Sequence, residues 1–221
     1  MEFLQIDILS VSSAILLIST FGVIVRRGFM GWLSAYRYQT IVLAGITSIL
    51  AFVTGAWELY IVAALTIVIK AIIIPIVLLR VTSGINVVAR YELNPYISIR
   101  LSAIIAALLV ALSYYLTEQI PFKSDPIILT YLPVSISLLL IGLFMMVNRR
   151  VALNQVVGLL VLENGLFLFT TTLTRGVPII IEIGVFIDIL VGVIISATLM
   201  SRINHTFDNL NVDNLEQLKD E

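Results

Sequence analysis

Long apolar runs constrain the possible fold of this chain more than any other feature of its sequence. Splitting the 221 residues at charges and turn-forming residues leaves seven such runs, most of them near the ~20 residues that an α-helix needs to cross the hydrocarbon core of a membrane. They predict seven transmembrane helices, at 6–25, 39–57, 60–80, 99–117, 127–147, 151–173 and 178–201. The expected fold is an all-α, polytopic membrane protein that forms a single membrane domain over residues 1–221.

The composition excludes several other classes of protein. Hydrophobic residues make up 60% of the chain and charged residues 12%, against about 25% charged in soluble domains. The 13 basic and 14 acidic residues are too balanced and too sparse for a nucleic-acid partner. With no cysteine and one histidine, the chain has no disulfide, no thiolate nucleophile, no iron–sulfur ligation by cysteine and no zinc site of the ordinary type.

The distribution of Lys and Arg predicts the orientation. One side of the predicted bundle collects ten of these residues, and the other side has only Lys123 and Arg175. The ten are Arg26, Arg27, Arg37, Arg80, Arg90, Arg100, Arg149, Arg150, Arg202 and Lys219. By the positive-inside rule the N-terminus lies outside and the C-terminus in the cytoplasm, with 204–221 as a cytoplasmic tail. Because the first positive charges follow the first apolar run, that run is expected to remain in the mature protein and not to be a cleaved signal peptide.

Three ionisable residues lie deep in the predicted helices, Lys70, Glu163 and Asp188, and a fourth, Glu182, lies closer to the outer end of the seventh helix. An unpaired charge in hydrocarbon costs at least ~2.5–3.5 kcal/mol, so such residues usually face protein or water and mark ion or proton pathways. All four are therefore candidate proton-relay residues.

Glu163 is the strongest of these candidates. It lies in the sequence Glu163-Asn164-Gly165, fourteen residues beyond Arg149, which places it roughly 20 Å along the helix at ~1.5 Å per residue. Burial and a nearby charge can poise such a carboxyl to bind and release protons. The alternative is a protonated carboxyl that only holds two helices together by hydrogen bonds.

The seventh predicted helix carries Asp188 and Glu182. Asp188 lies between Gly184 and Gly192 at steps of four residues, so these residues share one narrow face of the helix. The glycines favour close helix packing, whereas Asp188 is interpreted as functional. Glu182 lies nearer the outer end, where it either joins the relay or reaches the interface.

Lys70 lies halfway along the third predicted helix, five residues before Pro75. A proline inside a helix removes a backbone hydrogen bond and kinks the helix, and neighbouring groups can satisfy the carbonyl that it leaves open. Lys70 is about ten residues from either end of the run, so it is not expected to reach the interface. It is interpreted as a cation in a proton path or as a salt-bridge partner of Glu163 or Asp188.

Several segments of the last third together resemble the K subunit of respiratory complex I, over helices 5–7 at 127–203. They are Arg149-Arg150, Asn154-Gln155-Val156-Val157-Gly158-Leu159-Leu160, Leu162-Glu163-Asn164-Gly165, Asp188 and Asn209-Leu210-Asn211-Val212-Asp213. With its additional N-terminal helices 1–4 at 1–117, the whole chain resembles the E component of hydrogenase-4 and of other membrane-bound group 4 nickel–iron hydrogenases.

The resemblance implies a multi-pass subunit of a complex I-like hydrogenase of the formate hydrogenlyase type, in the cell membrane between antiporter-like subunits. It implies a chain without a cofactor or catalytic redox centre of its own, because nickel–iron and iron–sulfur centres belong to other subunits. Glu163 and Asp188 fall on the two membrane glutamates of the family, with the shorter Asp at the second. Lys70 belongs to the added half and is analogous to the buried lysines of antiporter-like subunits.

Two rival functions follow from the same residues. A stand-alone transporter or a purely structural assembly subunit would also need its ionisable groups buried. A retinal photoreceptor also has seven helices and a membrane lysine, but here the lysine is in the third helix and the chain has only two Trp.

Overall fold

The computed structural model describes residues 2–82, 96–119, 125–149 and 152–174. Within them, six helices are long and apolar enough to cross a membrane, which confirms the helical membrane class. The seventh predicted helix, with Glu182 and Asp188, and the predicted tail lie outside the described residues. The helices are α1 (Glu2–Val25), α2 (Phe29–Thr54), α3 (Glu58–Thr66, continued by a π-helical segment Ile67–Ile73 and by Ile74–Thr82), α4 (Ile99–Glu118), α5 (Pro126–Asn148) and α6 (Ala152–Thr174).

Local sequence explains where several helices begin and turn. Gly28 and Gly55 adopt positive φ angles of 75° and 72° in the short turns before and after α2, a conformation that glycine reaches without steric cost. The Asp125 side chain accepts a hydrogen bond from the Ile127 N–H at 3.0 Å, and Pro126 occupies the first turn of α5. The turns at Gly28 and Gly55 reverse the chain within a few residues, so α1 packs against α2 and α2 against α3.

The second helix begins ten residues earlier than predicted. The sequence predicted a start at residue 39, because Arg37 interrupts the apolar run, but α2 begins at Phe29. Phe29, Trp32 and Tyr36 are buried, and their spacing of three and four residues places them on one face of the helix. The predicted boundary was wrong because an amphipathic turn with one exposed arginine continues an otherwise apolar helix.

Glycines allow α5 and α6 to pack with their backbones in contact. A Cβ atom added at Gly165 would lie 2.7 Å from the backbone nitrogen of Leu139, and one at Gly158 would lie 2.7 Å from that of Met146. Gly142 of α5 lies in the same way against the backbone of Leu162. We call these three glycines the glycine seam; small residues at such positions let membrane helices approach closely.

A layer of buried polar side chains separates two apolar clusters. The first cluster contains Trp32, Tyr36, Leu78 and Val161, and the second contains Leu43, Leu59, Leu138 and Phe167, among others. Along α1, α2, α3 and α6, the polar residues fall between the stretches that belong to the two clusters. We define the polar layer as Thr20, Gln39, Thr40, Lys70, Glu163 and Asn164, which are all buried.

Candidate functional site

Lys70 and Glu163 meet at the centre of the polar layer. The Lys70 Nζ lies 3.8 Å from the Glu163 Oε1, and the two side chains are only 2% and 6% exposed. Of the two salt-bridge partners that the sequence offered for Lys70, the described part of the chain supplies Glu163, whereas Asp188 lies outside it. Because this separation exceeds the 2.7–3.2 Å of a hydrogen bond, the contact is an attraction between charges at close range.

Phe167 is a second neighbour of the Lys70 ammonium group. The Lys70 Nζ lies 5.2 Å from the centroid of the Phe167 ring, within the range of a cation–π interaction. Phe167 follows Glu163 by four residues, so both side chains project from one face of α6. This face of α6 therefore provides two separate attractions for the ammonium group.

An adjacent chain of hydrogen bonds links α6 to α2 and α1. The Asn164 Nδ2 donates to the Thr40 Oγ1 at 3.1 Å and to the Gln39 Oε1 at 3.4 Å. The Gln39 Nε2 donates in turn to the Thr20 Oγ1 at 2.7 Å, and that hydroxyl donates to the Leu16 carbonyl at 2.9 Å. Because Asn164 directly follows Glu163, the network fixes the part of α6 that carries the carboxylate.

Tyr36 adds a further polar group beside the carboxylate. Its side chain is fully buried on α2, one turn before Thr40, and it interacts electrostatically with Glu163. Tyr36, Gln39 and Thr40 were not predicted as members of the site. Their signal was a group of polar side chains in a helix that is otherwise apolar, and only the packing of α2 against α6 brings them beside Glu163 and Asn164.

Before Pro75, where the sequence predicted a kink, α3 contains a π-helical segment. Lys70 is at the middle of this segment, which covers Ile67–Ile73, and the N–H of Ile74 bonds to the carbonyl of Ile69, five residues earlier. The guanidinium of Arg37 donates through Nε to the Ala71 carbonyl at 3.0 Å. Lys70 therefore projects from a π-helical segment that α2 contacts directly.

The arrangement suits proton or charge transfer better than bond-breaking chemistry. It offers one carboxyl, one ammonium and several hydroxyl and amide groups in a buried layer. No cluster of three or more His, Cys, Asp or Glu residues that could hold a metal occurs in 2–82, 96–119, 125–149 or 152–174.

These features define a class of protein: a helical membrane protein with a charged pair buried between its helices. Comparison with known proteins narrows this class. The chain is 28% identical over 186 residues to hydrogenase-4 component E of Escherichia coli K12, covering 83% of this chain and 84% of the relative. The same identity and coverage hold for hydrogenase-4 component E of Shigella flexneri. An uncharacterized protein of Mycobacterium tuberculosis is 28% identical over 195 residues, which is 88% of each chain.

The chain is thus similar to hydrogenase-4 component E over most of its length, as its sequence motifs predicted. No protein-family model matches the chain, and no solved structure is significantly similar to it. The resemblance of helices 5–7 to the K subunit of complex I stays a prediction.

Proposed function

We propose that this chain is a membrane-arm subunit, without a redox centre of its own, of a complex I-like membrane-bound hydrogenase of the formate hydrogenlyase type. In the cell membrane it contributes protonatable groups to coupled translocation of protons or sodium ions. The similarity to hydrogenase-4 component E supports the setting. The buried pair of Lys70 and Glu163, 3.8 Å apart, is the observation that carries the function.

The proposed mechanism follows from the coupling of the two charges. When Glu163 takes up a proton on a carboxylate oxygen, its negative charge disappears and its attraction for the Lys70 ammonium weakens. When the proton leaves, the attraction returns. The protonation of each group therefore changes the free energy of protonation of the other. A proton that passes through Glu163 changes the attraction that holds the Lys70 ammonium of α3. Asp188 and Glu182 are proposed as further relay groups.

Replacing Glu163 by Gln tests this role. Gln keeps the size and hydrogen-bonding ability of Glu but removes its charge and its titratable proton, so a role limited to hydrogen bonds between helices should survive the change and a relay should not, although loss of the pair with Lys70 should lower the melting temperature. We expect the Glu163→Gln complex to assemble and to transfer electrons to artificial acceptors, with fewer ions pumped per electron. Asp188→Asn should act in the same direction, and Glu182→Gln should have a smaller effect.

The measurement is ion flux into reconstituted vesicles, normalised to electron turnover. Glu58→Gln is the matched control, because Glu58 is exposed at the start of α3 and should pump at the wild-type ratio. If Glu163→Gln also pumps at that ratio, Glu163 only stabilises helix packing and the relay assignment fails.

The proposed partners are antiporter-like membrane subunits, the other hydrogenase subunits and membrane lipid. Large apolar side chains are exposed along α4, including Ile104, Leu108 and Tyr115, and a surface of this kind must be covered by lipid or by another chain.

We expect deletion of the genes for the antiporter-like subunits to reduce the amount of this chain in the membrane several-fold. Quantitative immunoblotting, with transcript levels as the control, measures the change. Normal accumulation as a folded monomer would favour a stand-alone transporter.

A further inference from the structure

Arg37 makes a contact that the relay described above does not use. Its side chain is exposed for the most part on α2, yet its Nε reaches the carbonyl of Ala71 on α3 at 3.0 Å. Ala71 is 2% exposed and directly follows Lys70. The bond therefore joins α2 to the backbone that carries the buried lysine.

The sequence of α3 removes the α-helical donor of this carbonyl. In an α-helix the Ala71 carbonyl would accept a hydrogen bond from the N–H of the residue four positions later. That residue is Pro75, which has no N–H. A buried carbonyl without a donor costs about 1–3 kcal/mol, and the guanidinium of Arg37 supplies a donor in place of the one that Pro75 lacks.

The bond lies one residue away from Lys70. Lys70 lies within the π-helical segment, and a shift of that segment by one residue turns each side chain by about 100° around the helix axis. Such a turn would carry the Lys70 ammonium away from Glu163 and Phe167. An anchor at Ala71, one residue away, opposes this turn.

We propose that Arg37 is a positioning residue, which holds the π-helical segment through the Ala71 carbonyl and thereby keeps Lys70 facing Glu163. The inference rests on the proposed function for its activity measurement alone. Its structural content stands on the bond between Arg37 and Ala71 and on the missing N–H of Pro75.

Two substitutions distinguish a role of Arg37 in positioning Lys70 from a role in stabilising the fold alone. Arg37→Met removes the donor, so the complex should melt at a lower temperature, the Lys70–Glu163 distance should increase, and the ion-to-electron ratio should fall about two- to tenfold. Pro75→Ala in the same chain restores an N–H for the Ala71 carbonyl in an α-helical register. The Arg37→Met/Pro75→Ala complex should therefore regain thermal stability, whereas Lys70 stays turned away and the ratio stays low.

Thermal melting of the purified complex, ion flux per electron and cryo-electron microscopy of the α3 segment are the three readouts. Pro75→Ala alone provides the baseline, and Arg27→Met is the matched control because it removes an exposed arginine at the turn before α2. If Arg37→Met fails to assemble, the double variant decides: assembly supports action through the carbonyl, and failure to assemble overturns it.

Two results contradict the inference. Either Arg37→Met keeps the wild-type distance between Lys70 and Glu163, or the double variant recovers ion pumping together with stability, which would make the role of Arg37 structural only. The proposed function is judged separately by Glu163→Gln. If Lys70 moves in Arg37→Met but Glu163→Gln pumps normally, the positioning role holds and the relay does not.

Discussion

Replacing Gly165 by leucine should abolish assembly of the native helix packing. A Cβ atom at this position would lie 2.7 Å from the backbone nitrogen of Leu139 and 3.0 Å from the carbonyl oxygen of Ser135. Neither backbone atom can move without displacing α5, so a branched side chain forces the two helices apart. Because Glu163 and Asn164 are the two residues before it, the separation would also break the polar layer.

The smaller change Gly165→Ala gives a graded version of the same result. We expect it to cost about 1–3 kcal/mol, the usual penalty for an extra methyl group in a tightly packed site. Gly45→Ala is the matched control, because an added Cβ there meets no atom within 4 Å and alanine favours a helix over glycine. The measurement is the thermal melting of the purified complex. Equal melting of both alanine variants would show that the glycine seam is not close-packed.

Replacing Lys70 by methionine should destabilise the complex more than any other single change at the ion pair. It removes the cation that lies 3.8 Å from Glu163 but leaves the buried carboxylate. Breaking a buried pair in this way costs about 3–5 kcal/mol, whereas replacing both partners is often nearly neutral. The Lys70→Met/Glu163→Gln variant should therefore melt close to the wild type. We expect neither this double variant nor Lys70→Met to pump normally.

Ile72→Met serves as the control, because Ile72 is exposed on the same segment and carries no charge. A double-mutant cycle over Lys70 and Glu163 gives the interaction energy directly. If the losses of stability from the two single changes simply add, the two side chains do not act as a pair.

The sequence alone predicted the helices wherever apolar length decided the outcome. The third, fourth, fifth and sixth predicted helices agree with α3–α6 to within about two residues at each end. The start of α2 was wrong because Arg37 looked like a boundary. Its charge is tolerated in the helix because the side chain stays largely exposed and donates to a backbone carbonyl of α3. That carbonyl cannot be identified from the neighbours of Arg37 in the sequence.

The charged residues of the site could be predicted from the sequence, whereas its neutral polar residues could not. The cost of burying a charge makes Lys70 and Glu163 conspicuous in an apolar chain, and it requires each to have compensation nearby. Asn164, Gln39 and Thr40 carry no such signal, since a serine, threonine or amide side chain in a membrane helix can also bond to its own backbone. Their joint network depends on how α1, α2 and α6 are packed together, which hydropathy does not specify.

The distance along the chain between Lys70 and Glu163 has a consequence for biosynthesis. About ninety residues separate them, so at ~5–20 residues per second the ribosome needs roughly 5–20 s to reach Glu163 after it has made Lys70. During that interval the newly inserted α3 carries an ammonium group whose carboxylate has not yet been synthesised. The Lys70–Glu163 pair can form only after α6 has been synthesised, so the early helix depends on the late one for the partner of its charge.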